Sequence, residues 1–187
     1  MAFDYPIMLD VSGVRVLVVG GGRVALRKIE GLLASGAHVT VVAPDVADAI
    51  RSLPVEVVDR PYESSDLDNV RLVITATDDP AVNAAVAAGA THHGIWVNSA
   101  DDPANCTFTL PAVARDGPVT VAISTGGASP ALASHLRGEF QNWLGEIGAA
   151  EAAATLAAQR ASLHAEGTST ESIDWTERVR AALRRRP

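Results

Sequence analysis

The stretch Arg15-Val-Leu-Val-Val-Gly-Gly-Gly-Arg-Val-Ala-Leu-Arg-Lys28 constrains this chain more than any other. Val16 to Val19 is an unbroken aliphatic run, the pattern of a strand buried on both faces. Three glycines follow at once, and Val24, Ile29, Leu32 and Leu33 then recur at helical spacing. Gly20-x-Gly22-x-x-Ala25 fits the dinucleotide fingerprint G-x-G-x-x-G/A. In that fingerprint the first glycine makes a tight turn and the second lets the backbone approach a pyrophosphate. The small third position lets helix and strand pack closely. N–H groups at the helix start, aided by the helix dipole, would hold the phosphates. A glycine motif alone is generic, but here strand, turn and helix occur in the required order.

The rest of the first half repeats the alternation. Helical spacing predicts a helix over 23–35 with Gly36 ending it, and His38-Val-Thr-Val-Val42 reads as a second buried strand. Asp45 lies just past that strand, where it could reach a ribose or cap a helix beginning near Val46; both readings are open. No arginine follows immediately to hold a 2′-phosphate, which favours NAD over NADP. Val55-Glu-Val-Val58, Leu72-Val-Ile-Thr75 and Ile95-Trp-Val-Asn98 read as further strands, with a helix predicted over 81–89. Thr77 and Asp78 fall at a strand's carboxyl end, where open α/β sheets bind ligands, and they could equally cap the next helix. The expected fold is α/β, a Rossmann-like doubly wound parallel sheet.

After Asn98 the pattern changes. Residues 101–111 do not read as a helix, and Val119 to Ser124 reads as a strand following the turn Asp116-Gly-Pro118. Thr125-Gly-Gly-Ala-Ser-Pro130 is a glycine-rich loop opening a helix over 131–144, and Ser129 could cap that helix. Further helices are expected over 149–161 and 175–186. The expected layout is a dinucleotide-binding domain over 1–112, a small strand-containing region over 113–147 and a helical segment over 148–187.

Composition narrows the class of partner. An apolar fraction of 48% supports a packed core, and no apolar run reaches the roughly 20 residues of a membrane span. Asp4 interrupts any apolar leader, and the single cysteine, Cys106, allows no intramolecular disulfide, so a cytoplasmic protein is expected. A net charge of −7 argues against general nucleic-acid binding. Lys28 is the only lysine, so nearly all positive charge is arginine, the better clamp for carboxylates. His92 and His93 are adjacent, which would turn them apart on a helix; His135 lies in the later helix; and Cys106 lacks a C-x-x-C partner. No metal site is expected.

Five motifs in order carry a specific resemblance. They are Val-Val-Gly-Gly-Gly-Arg-Val-Ala-Leu-Arg-Lys (18–28), Val-Thr-Val-Val-Ala-Pro (39–44) and Ala-Thr-Asp-Asp (76–79). Val-Asn-x-x-Asp-Asp-Pro-x-x-Cys-x-Phe-x-x-Pro-Ala (97–112) and Ile-Ser-Thr-Gly-Gly-x-Ser-Pro (123–130) complete the set. Over roughly Tyr5 to Arg137 the chain resembles the precorrin-2 dehydrogenase family, the siroheme synthase N-terminal module, some members of which are also sirohydrochlorin ferrochelatases. The resemblance implies NAD-dependent oxidation of precorrin-2 to sirohydrochlorin in siroheme biosynthesis, possible use of Fe²⁺ as a second substrate, and a homodimer paired through the strand region. A non-catalytic module that binds NAD or a tetrapyrrole is the contrasting reading.

The resemblance also implies residues. The family's essential aspartate falls on Asp101, where a carboxylate could take the proton that accompanies hydride loss; a plain Asp-Asp-Pro turn is the alternative. Gly20, Gly22, Arg23 and Val24 match the phosphate turn, and Pro44 with Asp45 the segment after the second strand. Thr77 joins them as a cofactor contact from its strand-end position. Arg115 and Arg137 are candidates for the substrate's carboxylates. Thr125 matches a position where some relatives carry a phosphorylated serine.

Overall fold

The computed structural model describes residues 5–100, 102–171 and 173–183. Two compact units share the chain, Met1–Leu110 and Pro111–Pro187.

In the first unit five strands, β1 (Arg15–Val19), β2 (His38–Val42), β3 (Glu56–Val58), β4 (Leu72–Thr75) and β5 (Trp96–Ser99), form one sheet. All pairings are parallel and the order is β3-β2-β1-β4-β5. The expected doubly wound α/β sheet is therefore present, with β1 at its centre. Alternation along β1 shows why its run is aliphatic throughout. Val16 and Val18 pack with Ala25 and Ile29 of helix α1 (Arg23–Ala34) on one face. Leu17 and Val19 pack with Val86, Ala87 and Ala90 of helix α3 (Pro80–His92) on the other. Each of Val16 to Val19 thus meets a helix.

Helix ends settle several sequence expectations. Helix α1 stops at Ala34, and Gly36 at φ 80° sends its N–H to Leu33 O while Ala37 N–H reaches Leu32 O. This two-bond closure satisfies the last carbonyls and needs a left-handed residue, which glycine supplies at no steric cost. The short helix α2 (Asp48–Arg51) begins later than expected, and its N-cap is Ala47, without a side-chain bond. Asp45 therefore does not cap it: Val46 is drawn into the core, and Ala47 N–H is tied to Gly21 O at 3.0 Å, so the helix starts beyond both. Neither Thr77 nor Asp78 caps α3. That role falls to Asp79, whose carboxylate accepts from Ala81 N and Val82 N, with Pro80 in the first turn.

The second unit holds a hairpin of β6 (Ala112–Asp116) and β7 (Val119–Ile123), then α4 (Pro130–Ile147), α5 (Ala149–Ala165) and α6 (Thr176–Ala182). Strand β6 was not anticipated. Its Ala-Val-Ala-Arg-Asp pattern carries weak apolar signal, and its stability comes from α4: Ala114 is buried with Leu144 and Ala149. Gln141 on α4 also accepts from Arg115 N at 3.1 Å and donates to Arg115 O at 2.7 Å, acting as a one-residue strand partner. Ser129 caps α4 as expected, accepting from Leu132 N. Gly148, at φ 64°, separates α4 from α5. The last helix is shorter than expected, ending at Ala182, and residues 184–187 lie outside the described residues. Among the described residues no helix is long and apolar enough to cross a membrane.

A Cβ placed on Gly21 would stand 2.1 Å from Asp45 O, whereas one on Gly22 (φ −94°) would meet nothing within 4 Å. Gly21→Ala is accordingly expected to destabilise the fold by about 2 kcal/mol. Gly22→Ala, which meets no neighbour but replaces the N-cap glycine of α1, should cost no more than about 1 kcal/mol. Urea denaturation followed by circular dichroism compares them; equal losses would contradict this packing.

Candidate functional site

The carboxyl ends of β1, β2 and β4 meet around the glycine turn, at the point where strand order reverses from β2 to β4 on either side of β1. Open α/β sheets bind ligands at that crevice. Gly20 N–H donates to Val42 O at 3.0 Å and Ala76 N–H donates to Val19 O at 2.8 Å, so both neighbouring strand exits are tied to the turn. Gly20 sits at φ 124°, and a Cβ there would lie 2.4 Å from Ala76 O. Gly20 and Gly21 are thus required by packing. Gly22, by contrast, faces open space.

Helix α1 starts at this turn with Gly22 as N-cap, no side-chain cap and no acidic residue in its first turn. Its first N–H groups have no partner within the helix. Together with the helix dipole they fit a pyrophosphate, and the open side of Gly22 gives it room. Helix α3 differs, since Asp79 already occupies the N–H groups at its amino end. Among the cofactor candidates, Gly20, Gly22, Arg23 and Val24 lie together on this turn. Arg23 and Val24 are exposed in the first turn of α1.

Pro44 and Asp45 are exposed just after β2, and the Asp45 backbone packs directly on Gly21. Thr77 lies on the opposite wall, after β4. Its N–H donates to Asn83 Oδ1 at 3.2 Å and its carbonyl accepts from Asn83 Nδ2 at 3.0 Å. Thr75 Oγ1 also bonds to Asn83 Oδ1. Sequence reading missed both Asn83 and Gly21. The available signals were one amide within the apolar run of α3, and a third consecutive glycine where the fingerprint tolerates any residue.

Asp101 lies outside the described residues. The segments beside it are anchored. Ala100 N–H donates to Thr75 O at 2.8 Å, and Ser99 N–H donates to Cys106 Sγ at 3.1 Å. Cys106 Sγ in turn lies 3.3 Å from both Ser99 O and Asp102 O. Asp102 precedes a single 3-10 turn, Pro103–Asn105, and accepts from Asn105 Nδ2 at 2.6 Å. Asn98 Nδ2 donates to Phe108 O at 3.0 Å, while Asn98 Oδ1 and Ser99 Oγ are buried without a partner among the described residues. The cysteine, read from sequence only as lacking metal partners, is a buried staple for this loop.

The remaining candidates belong to the second unit. Arg115 is exposed on β6 and Arg137 exposed on α4. Thr125 Oγ1 accepts from Ser129 N at 3.1 Å. His135 is exposed on α4, and the rings of His92 and His93 meet edge-on with centroids 5.2 Å apart. No cluster of three or more potential metal ligands occurs among the described residues.

Comparison with known proteins adds to this geometry. A family model described as NAD(P)-binding matches residues 7–112, and one described as sirohaem biosynthesis protein central matches residues 116–142. The chain is 46% identical over 146 residues to a siroheme synthase of Pseudomonas entomophila, covering 75% of this chain and 32% of that protein. It is 49% identical over 143 residues to a siroheme synthase of Methylococcus capsulatus, covering 72% and 29%. The chain thus spans about a third of the length of these curated relatives. Among solved structures it resembles SirC, a precorrin-2 dehydrogenase, with a TM-score of 0.69 and 30% identity, covering 93% of this chain and 85% of that one.

Burial pushes the Cys106 thiol above its ordinary range, outweighing the Ser99 N–H that favours the thiolate, and the nearby Asp102 charge adds to the rise. The thiol therefore stays protonated at neutral pH. Disulfide-exchange labelling at pH 8 should run about 100-fold slower on the native protein than in urea. Comparable rates would contradict the buried staple.

Proposed function

The chain belongs to the precorrin-2 dehydrogenase family, and from that premise we propose that it oxidises precorrin-2 to sirohydrochlorin with NAD as the hydride acceptor. The observation that carries this reading is the uncapped amino end of α1 behind a glycine turn that only backbone can occupy. In it, Gly22, Arg23 and Val24 hold the pyrophosphate through backbone N–H groups, and Gly20, whose own N–H is bound to Val42 O, makes the turn that lets the phosphates approach. Pro44 and Asp45 border the adenosine ribose, and Thr77 forms the facing wall. NAD is favoured over NADP because Asp45 stands at the end of β2 as an acceptor for ribose hydroxyls. The nearby Arg51 guanidinium is already engaged by both carboxylate oxygens of Asp59.

The bound nicotinamide supplies the two-electron acceptor. The chain's own part is to orient the substrate and to move the proton. One C–H bond of precorrin-2 gives up its electron pair as hydride, and Asp101 takes the proton released as the conjugated product forms. Arg115 and Arg137 are proposed to hold substrate carboxylates, which planar guanidinium groups bind in paired fashion. We propose a homodimer paired through the second unit. Its two-stranded sheet leaves the outer edge of β7 without a strand partner among the described residues, and such edges recruit another strand.

An anaerobic assay of precorrin-2 oxidation, with NAD supplied or withheld, tests the activity. Asp101→Asn is expected to lower kcat by about 10²- to 10⁴-fold with NAD affinity preserved. Gly22→Ala should raise KM for NAD about tenfold by placing a methyl where the pyrophosphate approaches. NAD binding without turnover would contradict the dehydrogenase reading. Fe²⁺ offered to preformed sirohydrochlorin separates a dehydrogenase from a bifunctional enzyme, and a monomer in light scattering would contradict the dimer.

A further inference from the structure

We infer that Asn83 is a positioning residue for the cofactor crevice, acting through Thr77; the inference rests on the nicotinamide-binding reading above. Asn83 is 7% exposed in the second turn of α3. A buried amide there is costly unless fully bonded, and alanine or leucine would serve the helix better. Its bonds do not serve the helix start, because Asp79 already caps α3. They are directed at the loop leaving β4.

The pattern is a closed pairing with one peptide unit. Thr77 N–H donates to Asn83 Oδ1 at 3.2 Å, and Asn83 Nδ2 donates back to Thr77 O at 3.0 Å. The reciprocal pair fixes the amide's orientation, because a flipped amide would set donor against donor and oxygen against oxygen. The Thr75 hydroxyl donates to the same oxygen, and the Thr77 hydroxyl lies 2.9 Å from it and 3.0 Å from Asp79 O, with one proton for the two acceptors. The Thr77 hydroxyl also accepts from Asp79 N at 3.2 Å, which links the loop to the helix cap.

This matters for the crevice because Ala76 and Thr77 form the wall against which Gly20 is packed. A Cβ on Gly20 would meet Ala76 O at 2.4 Å and Thr77 N at 3.2 Å. The Ala76 N–H bond to Val19 O ties the β4 exit to the glycine turn, and Asn83 holds the next residue of that wall, Thr77, in place beside it. With Asn83 in place, α3 anchors that wall from its buried face, and the gap between the glycine turn and Thr77 is set before any ligand arrives. Such preorganisation spares the ligand the ordering cost.

The test uses the full chain and three variants, Asn83→Ala, Asn83→Asp and Thr75→Val. NAD binding is measured by calorimetry, kinetics with precorrin-2, and stability by thermal unfolding. Asn83→Ala is expected to weaken NAD binding about 10- to 100-fold. It should raise KM for NAD and leave KM for precorrin-2 within about twofold, a split that general destabilisation would not produce. Asn83→Asp keeps the acceptor for Thr77 N–H but sets an oxygen against Thr77 O in a buried site, so its affinity should fall at least as far as that of Asn83→Ala. Thr75→Val removes a single hydroxyl from the network and should weaken NAD binding about threefold, carrying the test if Asn83→Ala does not fold.

Parent-like NAD affinity in Asn83→Ala, or in Thr75→Val where the first does not fold, would overturn the inference and leave the proposed function standing. A parent chain that binds no NAD would overturn both.

Discussion

The structure depends on a contact that admits no side chain. Between the exits of β2 and β4 the chain passes through Gly20 and Gly21, whose backbone lies against Ala76 and Asp45 so closely that a methyl on either would overlap a carbonyl oxygen. This contact brings three strand ends to one place and lets α1 start there with its N–H groups uncommitted. A Cβ at either glycine would push the β2 or β4 exit outward, and the crevice beside β1 would lose a wall. Gly22 performs the opposite task. It is free of neighbours, and its value lies in the room it leaves.

Much of this was readable in advance because burial on both faces writes itself plainly into sequence. Strands β1, β2 and β4 are short aliphatic runs, each followed by glycine, proline or acidic residues. The helix between β1 and β2 was fixed by Ala25 and Ile29 facing the sheet and by Gly36 closing its end. What escaped prediction was held by tertiary partners rather than local pattern. Strand β6 exists because Gln141 and Leu144, some thirty residues later, cover it. The starts of α2 and α3 moved because Val46 is pulled into the core and because Asp79, not Thr77 or Asp78, has the geometry to cap.

The candidate site was legible in the same proportion. The phosphate turn was found because a glycine spacing next to a strand has one main structural use. Asn83 stands out in sequence only as one amide among alanines and valines, and that alone does not tell that it reaches back six residues to grip Thr77. Cys106 read as a cysteine without partners, and its work of bridging Ser99 and Asp102 appears only in three dimensions. Asp101 falls between those two anchored segments in sequence but outside the described residues, so its proposed role rests on family membership and on proton chemistry.

In the proposed function a nicotinamide dinucleotide lies across the crevice between the glycine turn and the β4 exit. A crystal structure of the protein with saturating NAD tests it most directly. Pyrophosphate oxygens are expected about 3 Å from the Arg23 and Val24 amide nitrogens, with Gly22 against the phosphates and the Thr77 wall unmoved. A dinucleotide seated anywhere else on the sheet, or a crevice that stays empty at saturating cofactor, would contradict it.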